Sequence, residues 1–187
     1  ALDFIVAGEG EKAMADLARG AQPALIQGLI YREGGEIIDN GLRTDLCDLD
    51  ALPFPAYHKL EGFPKRFESA LFSYPKAPSA TIVSSRGCPY QCSYCDQSVY
   101  RRGFRFNSAE YLYEHMAFLK KNFRIRHVGF YDDLFTFNRE RVEKFCGLLR
   151  KKPLNMTFNC AVRVGHADDA LLAMLKASGI TWTMHSD

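Results

Sequence analysis

From residue 81 onward the chain repeats one pattern, in which short β-rich runs alternate with runs of helical period. Residues 81–85 (Thr-Ile-Val-Ser-Ser) open it as a first strand. A helix is expected from Asn107, with Glu110 three residues on as a capping box and Leu112, Met116, Leu119 and Phe123 as its apolar stripe. Residues 126–131 give a second strand. Asn138 caps a second helix with Val142, Phe145, Cys146 and Leu149 on one face, and Pro153 stops it. Residues 154–162 alternate cleanly, with Leu154, Met156, Phe158, Cys160 and Val162 on one side and Asn155, Thr157, Asn159, Ala161 and Arg163 on the other. A third helix over 168–177 carries Leu171, Leu172 and Leu175, ends before Gly179, and gives way to a fourth strand at Ile180. Such alternation means parallel strands joined by helical crossovers. Buried parallel strands are apolar on both faces, so the polar side of 154–162 reads as the lining of a barrel interior wet enough for a polar ligand.

The first eighty residues divide differently. Residues 2–20 read as a buried strand, a turn at Gly8-Glu9-Gly10-Glu11 and a helix with Ala13, Leu17 and Ala18 on one face, capped by Gly20. Runs at 24–32 and 36–39 flank Glu33-Gly34-Gly35, a hairpin whose glycines supply positive φ. From about Leu46 periodicity fades, and Pro53, Pro55, Pro64, Pro75 and Pro78 punctuate a stretch carrying Phe54, Tyr57, Phe63, Phe67, Phe72 and Tyr74. So many aromatics suit a connector packed across a surface rather than a disordered linker. The expected division is therefore 1–45, a connector over 46–79, and 80–187. With no initiating Met and a β-rich run at its end, the chain reads as a piece of a longer one.

Three of the six cysteines, Cys88, Cys92 and Cys95, fall within eight residues in the loop after the first strand, while Cys47, Cys146 and Cys160 are scattered singly. A disulfide scaffold would spread its cysteines, so this grouping reads as a metal site in a reducing compartment. Thiolates suit iron–sulfur clusters and zinc. A structural zinc site closes its tetrahedron with a fourth Cys or His, and none lies at short spacing here. Three anchors leave one position open, which a four-iron cluster turns to use by binding a substrate at its fourth iron. A net charge of +2, from 24 basic and 22 acidic residues, gives no field for nucleic acid. No apolar run is long enough to span a bilayer, and no secretion signal opens the chain.

Cys88-Pro-Tyr-Gln-Cys92-Ser-Tyr94-Cys95, with an aromatic just before the third cysteine, resembles the signature of radical S-adenosylmethionine (SAM) enzymes. The resemblance implies an α/β fold, a partial (β/α) barrel of about three and a half βα units. It further implies that Cys88, Cys92 and Cys95 bind a [4Fe–4S] cluster that reductively cleaves SAM to a 5′-deoxyadenosyl radical, with Tyr94 backing the nucleoside. Gly-Phe-Tyr-Asp132-Asp133-Leu-Phe is similar to the acidic version of the family's SAM-gripping stretch found in its cobalamin-dependent branch, which makes Asp132 or Asp133 the contact for the SAM amino group. Arg163, ending Cys160-Ala-Val-Arg163, corresponds to an Arg the family places near SAM. Residues 1–45 and Leu49-Asp50-Ala-Leu-Pro53-Phe-Pro55 resemble the tail of a cobalamin-binding domain and its connector. The whole enzyme is then expected to be cytoplasmic, to act on a small-molecule substrate, to take electrons from a flavodoxin or ferredoxin, to bind cobalamin, and to transfer methyl groups or close rings.

Blander readings stand beside these. The cysteine loop would alternatively be a non-catalytic iron–sulfur or zinc-binding module. Asp132 and Asp133 would be a turn and capping pair before Asn138, and Arg163 a solvated strand end. Cys146 and Cys160 read as core residues. Arg101, Arg102 and Arg105 read as a solvated basic turn, or otherwise as a contact for an anionic substrate.

Overall fold

A computed structural model of the chain describes residues 2–67, 76–96, 100, 103–163 and 165–186, with the backbone alone for 182–186. Phe72, Tyr74 and Pro75 of the connector, and Arg101 and Arg102, lie outside the described residues. The chain forms two compact units, 1–52 and 53–187.

The first unit is a three-stranded antiparallel sheet in the order β1 (Phe4–Val6), β2 (Leu29–Glu33), β3 (Glu36–Asp39), with helix α1 (Glu11–Ala18) between β1 and β2. Glu33 pairs with Glu36 across Gly34 and Gly35, whose φ values of 57° and 91° suit a two-residue hairpin turn. Ala13, Ile26, Leu29 and Tyr31 form its small core. Two expectations are corrected. Phe4 and Ile5 are exposed, because β1 is a three-residue edge strand paired only with β2. The strand expected from residue 24 starts at Leu29, since Pro23 begins a turn of 3₁₀ helix at Pro23–Leu25. Arg43 bonds Asp45 at 2.7 Å and Asp16 at 2.9 Å, fastening the tail of the unit to α1.

The second unit is built on a parallel sheet in the order β4 (Ser79–Ile82), β7 (His127–Phe130), β8 (Thr157–Arg163), β9 (Ile180–Ser186). Its crossovers are α2 (Ala109–Phe123), α3 (Arg139–Lys151) and α4 (Asp169–Ala177). Strands thus neighbour one another in chain order, the arrangement that successive right-handed βα units produce. Ala80, Ile82, Val128, Phe130, Phe158, Cys160 and Val162 face the helices and meet Leu112, Met116, Phe145 and Leu171 in one core. In contact with it, the connector lays Phe54 parallel to His115 on α2 at 4.5 Å, and Phe63 edge-on against Phe123 at 5.0 Å. Tyr57 completes this patch with a 3.0 Å hydrogen bond between its hydroxyl and His115 Nε2.

Caps decide where the helices begin. Asn138 accepts from Arg141 N at 2.9 Å, as expected, and Asp168, where the third helix is expected to begin, caps it by accepting from Leu171 N at 2.8 Å. The cap of α2 is one residue later than expected. Ser108 accepts from Tyr111 N at 3.1 Å, and Glu110 is paired with Lys144 at 2.9 Å. Asn107 is buried instead, its backbone N–H given to the Ser84 carbonyl at 2.9 Å.

The first strand also differs from its expected span. After Ile82 the chain leaves the sheet, and Ser85–Arg86 (β5) pairs antiparallel with Arg105–Phe106 (β6). This two-rung ribbon gathers both ends of the cysteine-bearing segment at the C-terminal end of β4. That end of a parallel sheet is where open α/β folds bind their ligands.

Candidate functional site

Gly87 launches the cysteine loop from the ribbon with φ of +83°, a left-handed conformation that glycine adopts freely. A Cβ there would lie 2.5 Å from the Gly103 carbonyl oxygen, so the loop leaves and returns through a tight neck. Cys88 and Cys92 are half-buried and Cys95 is exposed, and all three are free thiols. A single turn links the latter two, with Cys95 N donating to the Cys92 carbonyl at 3.1 Å. By contrast, Cys146 and Cys160 are sealed in the core, where burial pushes both thiols up. Their thiolates are correspondingly disfavoured as ligands.

Tyr94 is exposed. Its hydroxyl is hydrogen-bonded to the Cys92 side chain, which raises the phenol's pKa, and Arg163 exerts a weaker opposing pull. Arg163, at the end of β8, lays its guanidinium 4.0 Å from the centre of the Tyr90 ring. Its Nη1 is buried and finds no hydrogen-bond partner among the described residues. The Tyr90 hydroxyl in turn bonds His166 Nε2 at 2.6 Å, and the ring meets Phe137 edge-on at 6.2 Å. Phe104, on the return limb, packs against Phe137 at 4.8 Å. Tyr90 therefore fastens the loop to the loops after β7 and β8. Sequence reasoning missed it, although an aromatic between two ligand-type cysteines was a visible signal.

The two neighbouring aspartates part company. Asp133 is exposed, whereas Asp132 is buried. Asp132 Oδ1 accepts from Ser84 N at 2.5 Å and Ser85 N at 3.1 Å, and its Oδ2 accepts from the Ser84 hydroxyl. The Arg141 guanidinium stands 4.0 Å away, its own side chain equally enclosed. Burial, the largest influence, raises the Asp132 carboxyl above the ordinary aspartate range against the pull of Ser84, Arg141 and Ser85.

The polar side of the sheet, opposite the helices, is partly self-satisfied. His127 Nδ1 meets Thr157 Oγ1 at 2.9 Å and its Nε2 meets Asn159 Oδ1 at 3.2 Å. Towards the C-terminal ends of the strands that side holds the exposed Tyr131 and the half-buried Ala161 and Arg163. A polar molecule approaching the strand ends from that side would therefore meet Tyr131 and Arg163, the latter stacked on Tyr90 of the cysteine loop. Arg105, the described member of the arginine trio, lies in β6 on the return limb.

These residues fit a group held by three sulfurs and open on one side. The donors are soft and partly accessible. Among the described residues no three Cys, His, Asp or Glu side chains converge as a ready-made site for a single metal ion. A four-iron cube spaces its anchoring sulfurs more widely than one ion does, and a loop carrying all three anchors can close around it. Among the described residues no helix is long and apolar enough to cross a membrane.

The profile of the radical SAM superfamily matches residues 82–186, more than half of the chain. An uncharacterized methyltransferase of Pyrococcus horikoshii is 27% identical over 95% of this chain and 38% of its own length. The anaerobic magnesium-protoporphyrin IX monomethyl ester cyclase of Rubrivivax gelatinosus is 26% identical over 96% of this chain and 33% of its own length. Among solved structures, the cobalamin-dependent SAM radical enzyme OxsB, with aqua-cobalamin and SAM bound, superposes with a TM-score of 0.74 at 20% identity, over 97% of this chain and 27% of that one. The methyltransferase TsrM of Kitasatospora setae, with cobalamin and a [4Fe–4S] cluster bound, gives 0.68 at 16% identity, over 98% and 37%. This chain thus spans under two-fifths of the length of each of these relatives.

Proposed function

The chain belongs to the radical SAM superfamily, and on that premise we propose that Cys88, Cys92 and Cys95 anchor three irons of a [4Fe–4S] cluster and leave the fourth to SAM. One observation supports this reading: three free thiols, two half-buried and one exposed, share one loop at the C-terminal end of a parallel sheet. When bound, such a cluster supplies one electron to the sulfonium of SAM, releasing methionine and a 5′-deoxyadenosyl radical.

The chain's own side chains would bind and orient. Asp133 is the better candidate of the pair for the SAM amino group, because the oxygens of Asp132 are already engaged by Ser84 and Ser85. Arg163 would turn its Nη1 to an anionic oxygen of SAM while its stacking on Tyr90 keeps the loop against β8. Tyr94, beside Cys92, would back the nucleoside.

The proposal extends to the whole enzyme. Cobalamin-dependent methyl transfer or ring closure on a small molecule accords with the names of the relatives. Residues 1–45 would then be the tail of a cobalamin-binding domain, 46–79 its connector and 80–187 the start of the radical SAM barrel. A flavodoxin or ferredoxin would supply the electron, and free thiols of this kind call for a reducing compartment such as the cytoplasm.

Anaerobic reconstitution tests the reading. The expected result is about four irons per chain and a visible absorption spectrum perturbed by added SAM. Cys92→Ala should abolish iron uptake and Cys146→Ala should leave it intact. One zinc per chain with no iron uptake would sink the proposal in favour of a non-catalytic zinc module.

A further inference from the structure

We propose that Asp132, with Ser84 and Arg141, is a positioning device for the cysteine loop: it grips both ends of the loop and touches neither cluster nor SAM. The inference rests on the cluster reading above and adds to it a role for residues outside the loop.

The network joins three places far apart in the chain. Ser84, at the exit of β4, gives its N–H and hydroxyl to Asp132, which follows β7. Arg141 on α3 donates through Nη2 to the Ser84 carbonyl at 3.2 Å and to the Ser84 hydroxyl. The outgoing limb is thereby fixed four residues before Cys88. The returning limb ends in the same place, because Asn107 N–H binds that Ser84 carbonyl at 2.9 Å. Phe106 pairs with Ser85 in the ribbon and lies 5.4 Å beneath the Arg141 guanidinium. Every backbone polar group of Ser84 is therefore committed, along with its hydroxyl.

Burying a carboxylate and a guanidinium is a poor way to gain stability. Desolvation offsets most of the attraction, and an apolar pair of similar volume often does as well or better. Such a pair does fix geometry, because one carboxylate accepting from two adjacent backbone amides and a hydroxyl dictates where that backbone lies. A loop that must present three sulfurs to one cluster needs that constraint, since a site displaced by about 1 Å loses function. The Asp132 carboxylate contributes it from the buried side of the loop, which explains why two adjacent aspartates point in opposite senses.

The test compares Asp132→Asn with Leu175→Ala, a core truncation on α4, in the full chain. Asn keeps one acceptor oxygen but turns an NH₂ towards the Ser84 hydroxyl or the backbone amides, so the grip is lost at nearly constant volume. Three readouts are taken: amide hydrogen exchange over 84–96 in the metal-free protein, iron per chain after anaerobic reconstitution, and the thermal midpoint. In Asp132→Asn, exchange at 84–96 should rise at least tenfold and iron should fall below a third of wild type. In Leu175→Ala the midpoint should fall as far or further, with exchange and iron within twofold of wild type. Ser84→Ala, which removes only the hydroxyl link, should show the same pattern more weakly and serves where Asp132→Asn does not fold. Unchanged exchange and iron in the folded variants, or parallel iron loss in Leu175→Ala, would overturn the proposal. Should wild type itself take up no iron while Asp132→Asn still frees the loop amides, the cluster reading fails and the positioning role stands.

Discussion

The tip and the base of the cysteine loop obey opposite rules. At the tip, Cys95 and Tyr94 stand in solvent and Cys88 and Cys92 are half-covered. At the base, Ser84, Ser85 and Asp132 are sealed, with the Arg141 charge on the same knot. On the proposed reading the tip admits a ligand, and it forgoes burial and with it stabilising contacts. Any order it has is therefore imported from the base, through the ribbon and the Gly87 neck, and from Tyr90 against Arg163 and His166. A segment of low intrinsic stability mounted on a rigid support is the usual form of a binding loop.

The largest effect expected from breaking this arrangement comes from removing one member of the buried pair. Arg141→Met leaves the Asp132 carboxylate uncompensated and should cost about 3–5 kcal/mol in denaturant-induced unfolding. The double variant Asp132→Leu/Arg141→Met should recover only part of that loss, since an apolar pair suits the site beside Phe106 and Phe135 but leaves Ser84 N, Ser85 N and the Ser84 hydroxyl without their acceptor. It should nonetheless load iron poorly. A double variant that regained both stability and iron would show that the base supports the loop by bulk alone.

The neck gives a smaller test. Gly87→Ala combines a left-handed backbone with a Cβ 2.5 Å from the Gly103 carbonyl oxygen, and should cost about 2 kcal/mol. Gly103→Ala shares the positive φ but meets nothing within 4 Å among the described residues, so about 1 kcal/mol is expected, from strain alone. Equal costs would mean that the neck is not held closed.

A buried polar group remote from the loop separates burial as such from the special role of the base. His115 on α2 is enclosed beneath Phe54 and bonded to Tyr57, and burial lowers its pKa to about 4. Its ordinary value in an unfolded chain is about 6.5. Between those values the unfolded chain binds the extra proton, so the stability that neutral His115 contributes is present above about pH 6.5 and is lost as pH falls towards 4. Unfolding free energy should drop by about 2 kcal/mol from pH 8 to pH 5, as an upper figure. His115→Leu should be flatter by that amount. Asp132, raised by burial, acts in the opposite sense, contributing stability below its unfolded value that is lost as pH rises through its folded one. It is common to both proteins and cancels in their difference.

What the sequence reveals follows the same division. Cys88, Cys92 and Cys95 are legible because their chemistry is carried by spacing along the chain. Asn138, Asp168 and the Gly34-Gly35 turn are legible because caps and hairpins are local. The alternation of 157–163 is legible because one face of β8 packs on helices while the other stays polar. The base knot is not legible, since its bonds span 48 and 57 residues and no periodicity marks Ser84 or Arg141. Arg141 even falls among the polar positions of an amphipathic helix, where a solvated side chain is the default expectation. The misplaced cap at Asn107 has the same origin. Its N–H was claimed by Ser84 from across the loop, which moved the cap to Ser108.

Tyr94 is where tip and base should differ most in kind. Its ring is 76% exposed and supports none of the core, so Tyr94→Ala should change unfolding free energy by no more than about 0.5 kcal/mol. The base variants, by contrast, should alter stability and loop order together. If Tyr94 lies against the nucleoside of SAM, the alanine variant should load iron as wild type does. The perturbation of its cluster spectrum should then require about fivefold more SAM, the share of binding that one aromatic contact supplies, about 1 kcal/mol. Tyr94→Phe should retain most of the affinity, because ring area rather than the hydroxyl makes that contact. Should Tyr94→Phe instead match Tyr94→Ala, the hydroxyl bond to Cys92 is what matters, and Tyr94 belongs with the residues that hold the loop rather than with those that meet the ligand.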